Sequence, residues 1–159
     1  MALTYPRFIH AQVLMHRLFS RNAASNRARP VRATLRAVRE SEWVPSWRYR
    51  AEKGMQPSTA AVSDADAAEA TGVWQAAKEA ACTAAARLDE LGIAKELVNR
   101  LLEPFQTVDV VMTGDWVAWE SFLFLRDHPD AQHEILPRHY CRGLIEAGEF
   151  VMPITLTRA

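Results

Sequence analysis

Hydrophobic positions along the chain fall mostly into helical repeats, interrupted by one β-branched run. Within residues 6–17, Phe8, Ile9, Val13 and Leu14 fit a short amphipathic helix opened by Pro6, with a strand as the alternative. Residues 20–30 are small and polar and predict a loop. Val31, Leu35 and Val38 recur at helical spacing and predict a short helix over residues 31–39. Residues 42–59 are irregular and hold Trp43, Pro45, Trp47, Tyr49, Gly54 and Pro57. Aromatics in such a loop form a lid or a subunit contact, or simply pin the loop itself. Ser63 followed by Asp64 reads as a helix start, and an alanine-rich helix runs from there to about Leu91, with Gly92 at its C-cap. A further helix over residues 94–102 stops before Pro104. The run from Val108 to Met112 predicts a strand. Residues 115–126 predict a helix with Trp116, Trp119, Phe122 and Leu123 on one side, and Asp130 opens a last helix to about residue 147. The sum is mostly helix with a little strand.

Composition narrows the class. At 159 residues the chain fits one domain with one core, residues 1–159. No apolar run approaches the ~20 residues that span a bilayer, so no membrane role is expected. Two widely spaced cysteines, Cys82 and Cys141, suggest neither a disulfide scaffold nor a zinc knuckle, which makes a reducing cytoplasm the default location. Net charge is zero but unevenly spread: no acid precedes Glu40, while residues 1–39 carry eight arginines and no lysine. An all-arginine segment suits bidentate recognition of phosphate. A transit peptide or a nucleic-acid-binding arm would share this bias. The arginines are too specifically spaced for the first. They fall in a motif rather than a run, beside an acidic remainder, which speaks against the second.

The residues themselves suggest an anion site. Within eight positions Ser20, Asn22, Ser25, Asn26 and Arg27 offer hydroxyls, amides and a guanidinium, and backbone N–H groups beside Ser25 and Arg27 could cradle a phosphate. His16 and Arg17 end the preceding element. Alone, His16 on an apolar face reads as a satisfied core histidine, and Arg100 and Arg126 as surface or salt-bridged arginines. His128, Asp130, His133 and His139 match no common zinc spacing, so no metal is expected. Nothing near Cys141 in sequence activates it as a nucleophile.

Three ordered blocks change those readings. The first is Gln12, then Met15-His16-Arg17, Ser20, Asn22, Ala23, Ser25 and Arg27. It resembles the signature of flavin-dependent thymidylate synthases, Arg-His-Arg-x-x-Ser-x-Asn-Glu-x-Ser-x-Arg with a glutamine three residues upstream. Six of its eight signature positions match; Met15 stands for the first arginine and Ala23 for the glutamate. The second, Val98-Asn99-Arg100 through Pro104, is similar to the family's Ala-Arg-x-x-Leu-Pro turn. The third, from Thr113 through Phe122 and Arg126 to Gln132 and Glu134, is similar to its Phe-Leu-x-Leu-Arg…Ala-Gln-x-Glu-Ile segment. Ser-Arg-Asn-Ala with Gly54-Met55-Gln56 further resembles a short bacteriophage branch.

The resemblance implies an α+β (α/β) fold, mostly helical with a small antiparallel sheet and without the family's usual N-terminal segment. It implies one-carbon transfer to C5 of a pyrimidine deoxynucleotide monophosphate, dUMP to dTMP. Methylenetetrahydrofolate would be the donor, with FAD and NADPH as reductant. Sites would lie between subunits of a homotetramer, in a bacterial or phage-infected cytoplasm. Gln12, Ser25, Asn26, Arg27 and Arg100 take nucleotide-binding positions. Arg126 takes that of the arginine contacting the pyrimidine carbonyl, where it stabilises developing ring charge. His16, Arg17, Ser20, Asn22, Asp115 and Ser121 take flavin-contacting positions. Variants of the same site would act on dCMP, stop at hydroxymethylation for phage DNA modification, or bind nucleotide without catalysis.

Overall fold

The computed structural model describes residues 2–45, 47, 50 and 60–126, with backbone only for residues 2, 123, 125 and 126. Its sheet has three antiparallel strands: β1 (Ala2–Pro6), β2 (Ser20–Ala23) and β3 (Thr107–Thr113), in the order β1-β3-β2. The register sets Tyr5 opposite Val108 and Ser20 opposite Thr113. β3 alternates as the pleat requires: Val108, Val110 and Met112 are buried, while Asp109 and Val111 face out. On the outer face the Thr4 hydroxyl donates to Asp109 Oδ1 at 2.8 Å. The inner face is covered by Ile9, Val13 and Phe19 and by Ala118 and Trp119 of the helix α5 (Trp116–Arg126).

The second cluster is helical. In α2 (Val31–Glu40) the buried positions Val31, Thr34, Leu35 and Val38 form one stripe. They pack with Cys82 and Ala85 of α3 (Asp64–Glu90) and with Val98 and Leu102. The exposed stripe of α2 uses two of the early arginines in surface ion pairs, Arg39 with Glu79 at 3.2 Å and Arg32 with Asp89 at 3.9 Å. The Ser63 hydroxyl caps α3 by accepting the Asp66 N–H, and Gly92, at φ 72°, turns the chain just past its C-cap.

The α+β expectation, mostly helix with a small antiparallel sheet, holds, but three regions differ from the expected pattern. Of residues 6–17 only Pro6 is in a strand, its extended backbone closing β1 against Thr107. Only then come a 3-10 turn, Arg7–Ile9, and a five-residue helix, α1 (His10–Leu14). The expected loop over residues 20–30 begins as β2, because pairing with β3 overrides the polar composition. The helix expected over residues 94–102 is a single α turn, α4 (Lys95–Val98), followed by 3-10 winding over Asn99–Phe105 that runs through Pro104. Pro104 has no N–H to donate and its ring excludes the carbonyl four residues earlier, so the chain takes the tighter winding. The helix expected from Asp130 lies outside the described residues, as do Gly54-Met55-Gln56, Gln132 and Glu134. Among the described residues no helix is long and apolar enough to cross a membrane.

Candidate functional site

The chain leaves β2 into a short loop over residues 24–29 that is fastened at Ala24, Asn26 and Arg29. A turn closes it, with the Ala28 N–H donating to the Ser25 carbonyl at 3.1 Å. The Ser25 hydroxyl accepts the Arg27 N–H at 3.3 Å. Ser25 and Arg27 are exposed, whereas Asn26 between them is buried. Asn26 Nδ2 donates to Glu103 Oε1 at 2.8 Å. Asn99 Nδ2 donates to two loop carbonyls, Asn26 at 3.0 Å and Arg29 at 3.1 Å. Arg7 reaches Glu103 Oε1 through Nε and the Ala24 carbonyl through Nη1, both at 3.4 Å. Arg100, next to Asn99, is exposed. The stitching therefore fixes the backbone of the loop that carries Ser25 and Arg27 against the winding that carries Arg100; a hydroxyl and guanidiniums are groups suited to a phosphoryl group. The Asn26 side chain does not join them; it fastens the loop from below.

A second group surrounds a cleft of about 310 Å³ lined by Met15, His16, Arg17, Leu18, Phe19, Ser121 and Phe122. The His16 ring stands edge-on to Phe122 with centroids 4.9 Å apart, and Phe19 packs on Trp119 at 4.5 Å. Three of the six expected cofactor positions, His16, Arg17 and Ser121, thus meet here. Ser20 and Asn22 lie exposed on β2, opposite Thr113 and Val111. Asp115 is exposed, and its carboxylate accepts the Ala118 N–H at 2.8 Å as the cap of α5. Gln12 is exposed on α1. Arg126 ends α5, and its side chain lies outside the described residues.

Several polar residues escaped the pattern reading. Arg7 belongs to no signature position, and Asn99 and Glu103 lie within the Arg100 block where the family turn has alanine and leucine. Tyr5 and His10 form a further pair, the buried hydroxyl 2.7 Å from His10 Nδ1. Burial pushes the Tyr5 pKa up to about 12, against the pull of Arg21 and Arg7. Burial, then Arg7 and Arg21, lower that of His10. The Tyr5 hydroxyl is thus protonated at neutral pH, and which of the two groups donates depends on the His10 tautomer. A separate concavity of about 410 Å³ lies along α3 beside Trp47 and Trp74, and none of the expected site residues line it. Its Asp66 carboxyl is held below the usual range by the Ser63 hydroxyl and by Arg50. Among the described residues no group of His, Cys, Asp or Glu is arranged to hold a metal ion. The cluster His128, Asp130, His133 and His139, and Cys141, lie outside them.

Taken together, these elements define an α+β protein presenting a tethered loop with exposed Ser25 and Arg27 and an aromatic cleft. The same fold occurs in solved structures of a UMP/dUMP methylase, PolB from Streptomyces cacaoi. One, bound with 5-Br UMP, aligns at a TM-score of 0.69 and 23% identity over 92% of this chain and 67% of that one. Another, bound with 5-Br dUMP, gives 0.69 and 22% over 93% and 64%. The chain thus spans about two thirds of the length of these structures. No curated protein sequence matches it. The family model described as thymidylate synthase complementing protein matches residues 1–154. The chain belongs to that family.

Proposed function

We propose that this protein methylates C5 of a pyrimidine deoxynucleotide monophosphate, converting dUMP to dTMP with methylenetetrahydrofolate as carbon donor. The observation that carries this reading is the loop that leaves Ser25 and Arg27 exposed while Asn26 and Asn99 tie it to the winding that carries Arg100. Family membership and the nucleotide analogues named for the PolB structures support it. Arg27, Ser25 and the backbone at residue 26 hold the 5′-phosphate, and Arg100 supplies a second cation. Gln12 contacts the nucleotide from α1. Arg126 meets the pyrimidine carbonyl, where a guanidinium stabilises negative charge that builds on the ring oxygen during C5 chemistry.

FAD is the cofactor the family implies, and the cleft beside α5 fits part of it. His16, Phe19 and Phe122 give it aromatic walls, Arg17 a cation and Ser121 a hydroxyl. When bound, FAD supplies the reducing equivalent, with NADPH as its source. At about 310 Å³ the cleft is at the small end of ligand sites, so one chain provides only a portion. Met15, Leu18, Val117 and Phe124 are exposed. Both features favour sites completed between subunits of a homotetramer.

A second reading, a homologue that binds nucleotide without reducing chemistry, is favoured by Met15 and Ala23. Met15 is 78% exposed where the signature has a cation, and Ala23 packs against the sheet core where it has a carboxylate.

Release of the C5 hydrogen, measured from dUMP and from dCMP with methylenetetrahydrofolate, FAD and NADPH, tests the proposal. Release from dUMP with dTMP formation is expected. Absence of release, with thermal stabilisation by dUMP, would leave only the binder. Arg27→Ala should weaken dUMP binding by about 2 kcal/mol, roughly thirtyfold. Unchanged affinity would remove Arg27 from the phosphate.

A further inference from the structure

We propose that Arg7, Glu103 and Asn99 are positioning residues that preorganise the phosphate loop, acting on the ligand only through Ser25 and Arg27. The proposal rests on the nucleotide reading above. The groups form a closed polar circuit. Arg7 Nε donates to Glu103 Oε1, which also accepts Asn26 Nδ2. The Asn26 carbonyl accepts from Asn99 Nδ2. The Asn99 carbonyl accepts Gln106 Nε2 at 3.1 Å, and the Gln106 carbonyl accepts the Arg7 N–H at 2.8 Å. The circuit joins three segments distant in sequence: the 3-10 turn after β1, the loop after β2, and the winding that carries Arg100.

Its geometry separates holding from presenting. The loop is grasped at Ala24 by Arg7, at Asn26 by Glu103 and Asn99, and at Arg29 by Asn99. The residues between the first two holds and just beyond the second, Ser25 and Arg27, are left exposed. Asn99 is fully buried, and the Arg7 side chain is only 19% exposed. An anion-binding loop held this way loses little conformational freedom when a phosphate docks, so its affinity is not spent on ordering. A loop released at residue 26 would have to be ordered by the ligand itself.

The test is dUMP affinity by calorimetry on the full chain, with deoxyuridine as the probe lacking the phosphate. Wild-type binding of dUMP is the control; its absence would defeat the nucleotide reading rather than this one. In Glu103→Ala, dUMP affinity should fall about tenfold while deoxyuridine affinity stays within about twofold. In the Arg27→Ala background the same change should cost dUMP markedly less than tenfold, because only Ser25 and the backbone at residue 26 would be left for Glu103 to position. Glu103→Gln, which keeps an acceptor for Asn26, should recover most of the loss. If Glu103→Ala does not fold, Arg7→Gln decides by the same comparison. Equal dUMP affinity in a folded variant, equal losses for dUMP and deoxyuridine, or additivity with Arg27→Ala would each overturn the proposal.

Discussion

Gly114 stands where β3 hands over to α5, and its missing side chain is a requirement of packing rather than of backbone angle. Its φ is not positive, so alanine there gains roughly 0.4–1 kcal/mol from a less flexible unfolded chain. The folded state opposes this more strongly. A Cβ at Gly114 would sit 2.6 Å from Phe19 Cδ1 and 2.8 Å from Cε1. Carbon contacts settle at about 3.5–4.0 Å, so the ring must retreat by about 1 Å. Phe19 has nowhere to go: it is 4% exposed and wedged against Trp119 at 4.5 Å and Phe122 at 5.6 Å. Overpacking of this kind costs about 1–3 kcal/mol, which exceeds the entropic gain. Gly114→Ala should therefore lower stability by about 1–2 kcal/mol and Tm by about 2–8 °C, read by circular dichroism. Phe19→Leu removes the ring atoms in conflict, so alanine at 114 should cost much less in that background. A Gly114→Ala protein as stable as wild type, or costs that simply add, would refute the wedge.

Other outcomes follow from burial. Leu102→Ala empties a fully buried position of the helical core and should cost about 2–5 kcal/mol in urea unfolding. His10 has a folded pKa below 6.5 through burial, Arg7 and Arg21, so the unfolded chain takes up the proton first. Stability should be intact above that value and fall as pH drops through it toward the folded pKa, and His10→Gln should flatten the Tm slope between about pH 7.5 and about pH 5.5. The Cys82 thiol is fully buried, and burial followed by the Glu79 carboxylate raises its pKa. In a Cys141→Ser background it should react with a disulfide reagent only as fast as the protein opens, and immediate labelling of the native protein would contradict the packing.

What could be read from residues alone was whatever rests on local pattern. The stripe of Val31, Leu35 and Val38, the Ser63 cap, Gly92 past the long helix and the β-branched run of β3 each carry their signal within one or two turns. β2 carries none: Ser-Arg-Asn-Ala becomes a strand because Met112 and Val111 lie beside it, and that pairing spans some ninety positions. The winding around Pro104 is hidden from local pattern for a related reason. The sequence shows where a proline breaks an α-helix, but not that Asn99 and Gln106 will fasten the tighter turn. The candidate site divides the same way. Ser25, Arg27, Arg100 and His16 stand in motif positions, whereas Arg7, Asn99 and Glu103 matter only through contacts 70 to 96 positions apart.

The location of that circuit bears on why the loop is held by amides at all. Val98 and Leu102 belong to the helical cluster, Val108 and Val110 to the sheet cluster, and Asn99, Glu103 and Gln106 fall on the seam between them. The side-chain oxygens of Asn26, Asn99 and Gln106 are buried there without a hydrogen-bond partner among the described residues. Each such oxygen costs about 1–3 kcal/mol relative to a satisfied or apolar group, so stability alone would favour leucines at the seam. A leucine, however, has no donor with which to grip a carbonyl. Only a forked donor such as Asn99 Nδ2 can hold residues 26 and 29 together while its neighbour Arg100 faces outward. The seam gives up cohesion between two well-packed clusters to obtain a fixed loop, which is the preorganisation that the proposed phosphate site would use.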